Sequence, residues 1–250
     1  MADKLHLDQH ISQKFNDELE DIRSRALQMG GLVEKQVSGG LQALLEGNSE
    51  LGSQVANLDH EVNAMEIDID EVCTSILARR QPAASDLRLI VTIIKVITDL
   101  ERIGDEAEKL GRFAVELASS SELPAYRKEL RHLGELVQSM LRDALHCFAR
   151  MDYEAALRTA ARDDDINAEY ETLSRLLITH VMEDPRQVKN VFNITWCARA
   201  LERIADHSVN ICEYVVFLVK GKDIRHTDIA DIDNFLASEN SDREQKDYGE

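Results

Sequence analysis

The sequence predicts an all-α chain of two pseudo-symmetric antiparallel three-helix bundles, and three observations lead there. Only 3 Pro and 11 Gly occur in 250 residues, aromatics make up 5%, and 30% of residues are charged beside 44% hydrophobic. Long amphipathic helices need that mixture, whereas sheets need more aromatic and β-branched residues. Pro82 in RRQPAASD and Pro185 in EDPRQV break the chain 103 residues apart, with Pro124 between them. The chain also repeats itself. At an offset of 104, Val62-Asn63-Ala64 falls on Ile166-Asn167-Ala168, Asp59 on Asp163, Leu41 on Leu145 and Asn48 on Asp152. Past the proline breaks the offset becomes 101, and Leu100-Glu101-Arg102-Ile103-Gly104-Asp105 falls on Leu201-Glu202-Arg203-Ile204-Ala205-Asp206 with five of six residues identical. Two copies mean a duplicated domain, since a solenoid needs at least three.

Each element follows from a turn signal. Gly47-Asn48-Ser49 divides a helix over 9–46 from one over 50–80, and Gln81-Pro82 divides that from one over 84–118. The second half repeats the plan over 126–150, 153–182 and 187–220. Short turns between long helices force antiparallel neighbours. The expected units are a first repeat over 1–120, a second over 121–221 and an acidic tail over 222–250. That tail holds few apolar anchors, so its end is expected to be disordered.

Charge narrows function. With 47 acidic against 29 basic residues the formal charge is −18, and no basic cluster longer than Arg79-Arg80 occurs, so nucleic acid is not an expected partner. The longest apolar runs, near 89–97 and 211–219, fall short of the ~20 residues a bilayer core requires. The start MADKLHLDQH has no signal-peptide run, so the expected location is cytoplasmic. Cys73, Cys147, Cys197 and Cys212 form no CxxC pair and read as buried thiols.

Chemistry has to be sought on helix faces, because no phosphate loop, GxSxG or HExxH is present. On the second helix Leu51, Val55, Leu58, Val62, Met65, Ile69 and Ile76 form the core stripe. Asp59, Asn63, Glu66 and Asp70 form a polar seam about 100° away. On the third helix Glu101, Asp105 and Glu108 lie opposite Leu100, Ile103, Ala107 and Leu110, and Glu202 and Asp206 repeat the arrangement. Carboxylates at i and i+4 repel by a few tenths of a kcal/mol when exposed. One reading is a hard or borderline cation held by oxygens of Asp59, Asn63, Glu101 and Asp105, and again of Asp163, Asn167, Glu202 and Asp206. The other is a solvated face helped by Arg102 and Arg203. Glu129 and His132 make the one ExxH and read as surface, since a di-iron site needs that pair on two helices. His207 reads as a ligand or a polar neighbour, and Trp196 and Cys197 as core. No nucleophile with a partnering base stands out.

The segments Ile76-Leu77-Ala78-Arg79-Arg80-Gln81-Pro82-Ala83-Ala84-Ser85-Asp86-Leu87-Arg88, Leu100–Asp105 and Ala198–Asp206 resemble the PhoU family of bacterial phosphate-signalling accessory proteins. His10-Ile11-Ser12, Asn210-Ile211-Cys212-Glu213 and Val219-Lys220-Gly221 match as well, so the likeness runs to about residue 235. It implies a PhoU-like fold and a non-enzymatic negative regulator of the phosphate (Pho) regulon that also modulates phosphate uptake. Its implied partners are a PstB-type ABC transporter ATPase and a PhoR-type histidine kinase, with a homodimer and no membrane contact except through partners. It further implies metal held by (E/D)xxxD motifs, which Glu101/Asp105 and Glu202/Asp206 match. Divalent or ferric ions (Mg, Mn, Fe or Zn) suit such ligands. Asn63 and Asn167 stand where the common pattern has Asp, and each removes a negative charge. Two readings from other classes are a metal-dependent hydrolase or oxidase and a purely structural helical adaptor. Arg79, Arg80 and Arg88 around the Pro82 turn suggest a basic tip for an acidic partner, or simply cations at the C-terminal end of the second helix.

Overall fold

The computed structural model describes residues 13–118 and 123–224. The start of the first expected helix, and the tail beyond 224 with its expected disorder, lie outside the described residues. Six helices carry the architecture: α1 (Gln13–Glu46), α2 (Ser49–Arg80) and α3 (Ala84–Leu117) in the first half, and α4 (Leu123–Arg150), α6 (Asp163–Glu183) and α7 (Val188–Lys220) in the second. A short α5 (Tyr153–Ala160) precedes α6, and a 3-10 turn over Pro185–Gln187 leads into α7. The expected helix over 153–182 is thus two helices. Arg162 N–H bonds the Thr159 carbonyl at 3.2 Å, an i−3 contact that tightens and ends α5. Asp163, Asp164 and Asp165 then open α6, placing three negative charges at its positive end.

The turns into α2 and α5 match residue for residue. Gly47 and Met151 both adopt left-handed backbone, at φ 66° and 54°. The next residue caps each helix: Asn48 Oδ1 accepts from Leu51 N–H at 3.0 Å and Asp152 Oδ1 from Ala155 N–H at 2.9 Å.

Helices α1, α3, α4 and α7 form the centre, α3 packing along α7 and α1 along α4. Helix α2 covers α1 and α3, while α5 and α6 cover α4 and α7. The contact between α1 and α4 has its own two-fold relation. A Cβ on Gly30 would meet the end of Leu145, and a Cβ on Gly134 the end of Leu41. These four residues are two aligned pairs, so each half lends a glycine groove to the other's leucine. One core of Ile22, Met29, Ile97, Ile103, Phe148 and Ile204 runs through both halves. All four cysteines are free and buried, as expected. Trp196 departs from expectation: it is 55% exposed, with Phe192 one turn before it also exposed. The buried positions of α7 run Val191, Ile194, Ala198, Leu201, and Trp196 falls between them on the outward face.

Candidate metal centre

The eight expected site residues fall into two seams, one between α2 and α3 and one between α6 and α7. In the first, Asn63 Nδ2 donates to Asp59 Oδ2 at 2.8 Å. In the second, Asn167 Nδ2 donates to Asp163 Oδ2 at 2.7 Å. The amide therefore spends its N–H on its own helix and turns its oxygen away. Asp59 Oδ1, Asn63 Oδ1, Asp163 Oδ1 and Glu202 Oε2 are buried and accept no hydrogen bond. A buried oxygen without a donor costs about 1–3 kcal/mol, so a positive partner at these atoms removes a real penalty. Asp59 is only 7% exposed and Glu202 is buried too, which corrects the solvated-face reading for these two acids. The periodicity plot set both outside the apolar stripe. It could not show that a neighbouring helix closes over them.

Electrostatics bind each seam into one unit. Burial raises the Glu101 carboxyl above its ordinary range, and Asp105, Glu66 and Asp59 push it further. Asp105 is raised by burial and then by Asp59 across the helix pair. Glu66 is raised by burial and by Asp70. In the second seam Asp163 is raised by burial and by Asp206, and Glu202 by burial and by Asp206, with Arg199 opposing. Asp206 is exposed, and its carboxyl is raised by desolvation against the pull of Arg199, His207 and Arg203.

Two features escaped the sequence reading. Arg199 Nη1 donates to Glu202 Oε1 at 2.6 Å. Its guanidinium also lies 6.0 Å from the Tyr170 ring centre. The first-half counterparts are Thr98 and Glu66, so the repeat alignment already held the signal. Gln36 on α1 is the second: it is fully buried behind the first seam, and a Cβ on Gly104 would sit 3.3 Å from its Oε1 and 3.5 Å from Asp59 Oδ1.

The remaining candidates are placed elsewhere. His207 Nδ1 lies 2.6 Å from Asp99 Oδ1, which also accepts from Asn210 at 3.0 Å, so His207 is a polar neighbour joining α7 to α3. His132 is exposed and 3.6 Å from Glu169, as a surface residue would be, whereas Glu129 is half-buried, with its Oε2 buried. Arg80 pairs with Glu18 through two bonds of 2.9 and 3.1 Å, and Arg79 approaches the same carboxylate at 3.6 Å. Much of the basic tip is therefore neutralised by α1. Among the described residues no three Asp, Glu, His or Cys side chains converge to hold a metal ion by themselves. No helix of the described residues is long and apolar enough to cross a membrane.

Comparison with known proteins places this geometry. The PhoU domain profile matches residues 26–114 and again 130–215, one match per half. The phosphate-specific transport system accessory protein PhoU homolog of Pseudomonas aeruginosa is 53% identical over 226 residues, covering 90% of this chain and 93% of that protein. The phosphate-specific transport system accessory protein PhoU of Escherichia coli K12 is 45% identical over 241 residues, covering 96% of this chain and all of that protein. The crystal structure of PhoU from Pseudomonas aeruginosa matches with a TM-score of 0.81 over 83% of this chain and all of that one, at 53% identity. The structure of the phosphate transport system regulatory protein PhoU from Streptococcus pneumoniae matches at 0.76 and 31% identity, over 84% of this chain and 98% of that one. With both halves matched by the domain and nearly the whole chain matched by its relatives, this chain belongs to the PhoU family.

Proposed function

We propose that this chain is a non-enzymatic accessory of a phosphate-specific transport system. In this reading it represses the Pho regulon when phosphate is plentiful and restrains phosphate uptake. It does so as a cytoplasmic homodimer that contacts a PstB-type transporter ATPase and a PhoR-type histidine kinase, reaching the membrane through them alone. The observation that carries the reading is near-complete coverage of relatives named as accessory proteins of that system, at 45–53% identity. The test is deletion of the gene followed by a phosphate-regulated reporter assay and capture of the purified kinase and ATPase on the immobilised protein. Expected are derepression in phosphate-rich medium and saturable binding of both. Repression unchanged by the deletion overturns it.

Within that role, the two seams hold divalent or ferric cations through Asp59, Asn63, Glu101 and Asp105, and through Asp163, Asn167, Glu202 and Asp206. The buried oxygens without donors support this, as does the purely oxygen donor set, which suits hard cations. A bound cation would offset the repulsion that lifts the seam carboxyls and tie α2 to α3 and α6 to α7. Elemental analysis of wild type, Asp105→Ala and Asp206→Ala is the check. Lower metal in each variant with unchanged helical circular dichroism is expected, and a wild type free of metal refutes it.

A further inference from the structure

We propose that a cavity between α4 and α5, distinct from both seams, binds a phosphoryl oxyanion. It encloses about 320 Å³, and its walls carry His146, Arg150, Arg158 and Arg162 beside Asp143 and Asp152. Three guanidinium groups around one cavity are unexpected in a chain of charge −18.

The two wall acids are already engaged. Asp143 Oδ2 accepts from Arg162 Nη1 at 2.6 Å, and Arg162 Nη2 donates to Ser139 Oγ at 3.1 Å. Asp152 Oδ1 caps α5 through Ala155 N–H. Arg150 and Arg158 are exposed and form no ion pair among the described residues. The cavity also includes Thr159, 6% exposed, whose hydroxyl lies 4.0 Å from Cys147 Sγ. Burial pushes the Cys147 thiol up, so it stays neutral and adds no negative charge. The cavity therefore offers two unspent guanidinium forks, a held third and a hydroxyl, which is the donor set for an anion with several oxygens.

The repeat shows that the fold does not need these charges. At the offset of 104, His146 falls on Gln42, Arg158 on Gln54, Thr159 on Val55 and Arg162 on Leu58. Gln42, Gln54, Val55 and Leu58 line the corresponding groove beside α1 and α2 in the first half. Arg150 falls on Glu46, which lines the adjoining groove. At these aligned positions the first half carries amides and aliphatic groups and the second carries cations, although Glu34, Lys35 and Arg142 also line the first-half groove.

The same chemistry comes from inorganic phosphate or from a phosphomonoester, and the cavity has room for either. Calorimetric titration of the full-length protein with inorganic phosphate and, separately, with AMP at low salt tests the site. The control restores the first-half residues, Arg150→Glu with Arg158→Gln, and Arg158→Gln alone is a milder second variant. Both side chains are exposed, so melting temperature and circular dichroism should hold. Saturable binding that weakens about tenfold or more in the double variant is expected, roughly one charge-assisted hydrogen bond or more. Similar affinities for the two ligands identify inorganic phosphate, and clearly tighter AMP identifies a phosphomonoester. No heat with either ligand up to ~10 mM, beyond millimolar affinity, overturns the proposal. Equal binding by wild type and double variant does so as well.

Discussion

The α2–α3 seam and the α6–α7 seam share their hydrogen bonds and differ in their charge. Asn donates to Asp at 2.8 Å in one and 2.7 Å in the other. Around that common piece, Glu66 and Thr98 of the first half are replaced by Tyr170 and Arg199 of the second. The first seam thus gathers Asp59, Glu66, Glu101 and Asp105 with no ion pair among the described residues. The second gathers Asp163, Glu202 and Asp206 with Arg199 bonded to Glu202. Geometry and charge are separable in this fold: caps and side-chain bonds repeat, while the electrostatic load of a seam is set by two positions beside them. The second seam has a guanidinium bonded to one of its acids, and the first has no such pair among the described residues.

Packing separates the halves as well, and it gives the largest expected effect. Gly52 of α2 and Gly111 of α3 face each other so closely that a Cβ on either would sit 2.6 Å from the other's carbonyl oxygen. The aligned second-half residues are Ala156 and Cys212, so only the first half depends on bare backbone contact. Gly52→Ala and Gly111→Ala should each cost about 1–3 kcal/mol, since a carbonyl in a helix cannot swing aside as a side chain can. In thermal melts each kcal/mol lowers Tm by about 2–4 °C for a chain of this size. Melting temperatures unchanged in both variants would mean that α2 rides freely on α3, and that the first seam is not held at a fixed width.

Next in size is the charge difference itself. Arg199→Thr gives the second seam the first seam's residue, freeing Glu202 Oε1 and removing a positive charge. Cation affinity there should rise on the order of tenfold, because a charge-assisted hydrogen bond of about 1.5–3 kcal/mol no longer competes. Thr98→Arg should weaken the first seam by a similar factor. Titration calorimetry with Mn²⁺ reads both, and equal affinities for wild type and Arg199→Thr would show that Arg199 stabilises packing on Tyr170 only.

A smaller effect follows from the carboxyls. Glu66, Glu101 and Asp105 are all raised, burial being the first cause in each. The folded chain therefore holds these protons more tightly than the unfolded chain. Their contribution is fully present below the ordinary 3.8 of Asp and 4.5 of Glu and is lost as pH rises through the raised folded values. Glu18 is lowered by Arg80 and works in the opposite sense, so the test is a difference. With chelator present, Tm should fall less steeply above pH 4.5 in Glu66→Gln than in wild type, and added Mn²⁺ at neutral pH should restore wild type more than the variant.

Most of the fold was legible because helices announce their ends. Asn48 and Asp152 act as caps, Pro82 and Pro185 mark breaks, and the aligned LERI blocks locate α3 and α7. The split at Ala161-Arg162 was not, since neither residue is a helix breaker and the cue lay in Asp163-Asp164-Asp165, of which only Asp163 was weighed, as a ligand and not as a helix start. Half of the site was legible for a related reason. Spacing puts Asp59 and Asn63 on one face, but only the third dimension shows that Gly104 lets α3 come close enough to bury Asp59. Trp196 failed because a large aromatic beside Cys197 reads as core, while a helix turns 100° between neighbours.

The smallest structural effect with the widest functional consequence lies at the tips. Arg79 and Arg80 before Pro82 align with Glu183 and Asp184 before Pro185, so the first tip is basic where the second is acidic. Each tip is internally paired: Arg80 chelates Glu18, and Arg186 bonds Asp184 at 2.8 Å, holding that carboxyl below its ordinary range. These pairs are at the surface, so reversing Arg79 and Arg80 to Glu should barely move Tm. Reversal does change the sign of the whole first tip, since Glu18 then adds to the negative charge. If that tip meets an acidic surface of the kinase or the ATPase, Arg79→Glu with Arg80→Glu should slow association and lose its salt dependence, while Glu183→Lys with Asp184→Lys leaves binding intact. Loss in the first double variant with a matching gain in the second would mean that net charge, not the tip, governs the encounter, because the two variants shift the charge of −18 in opposite directions. Loss in neither moves the contact to another face of the bundles.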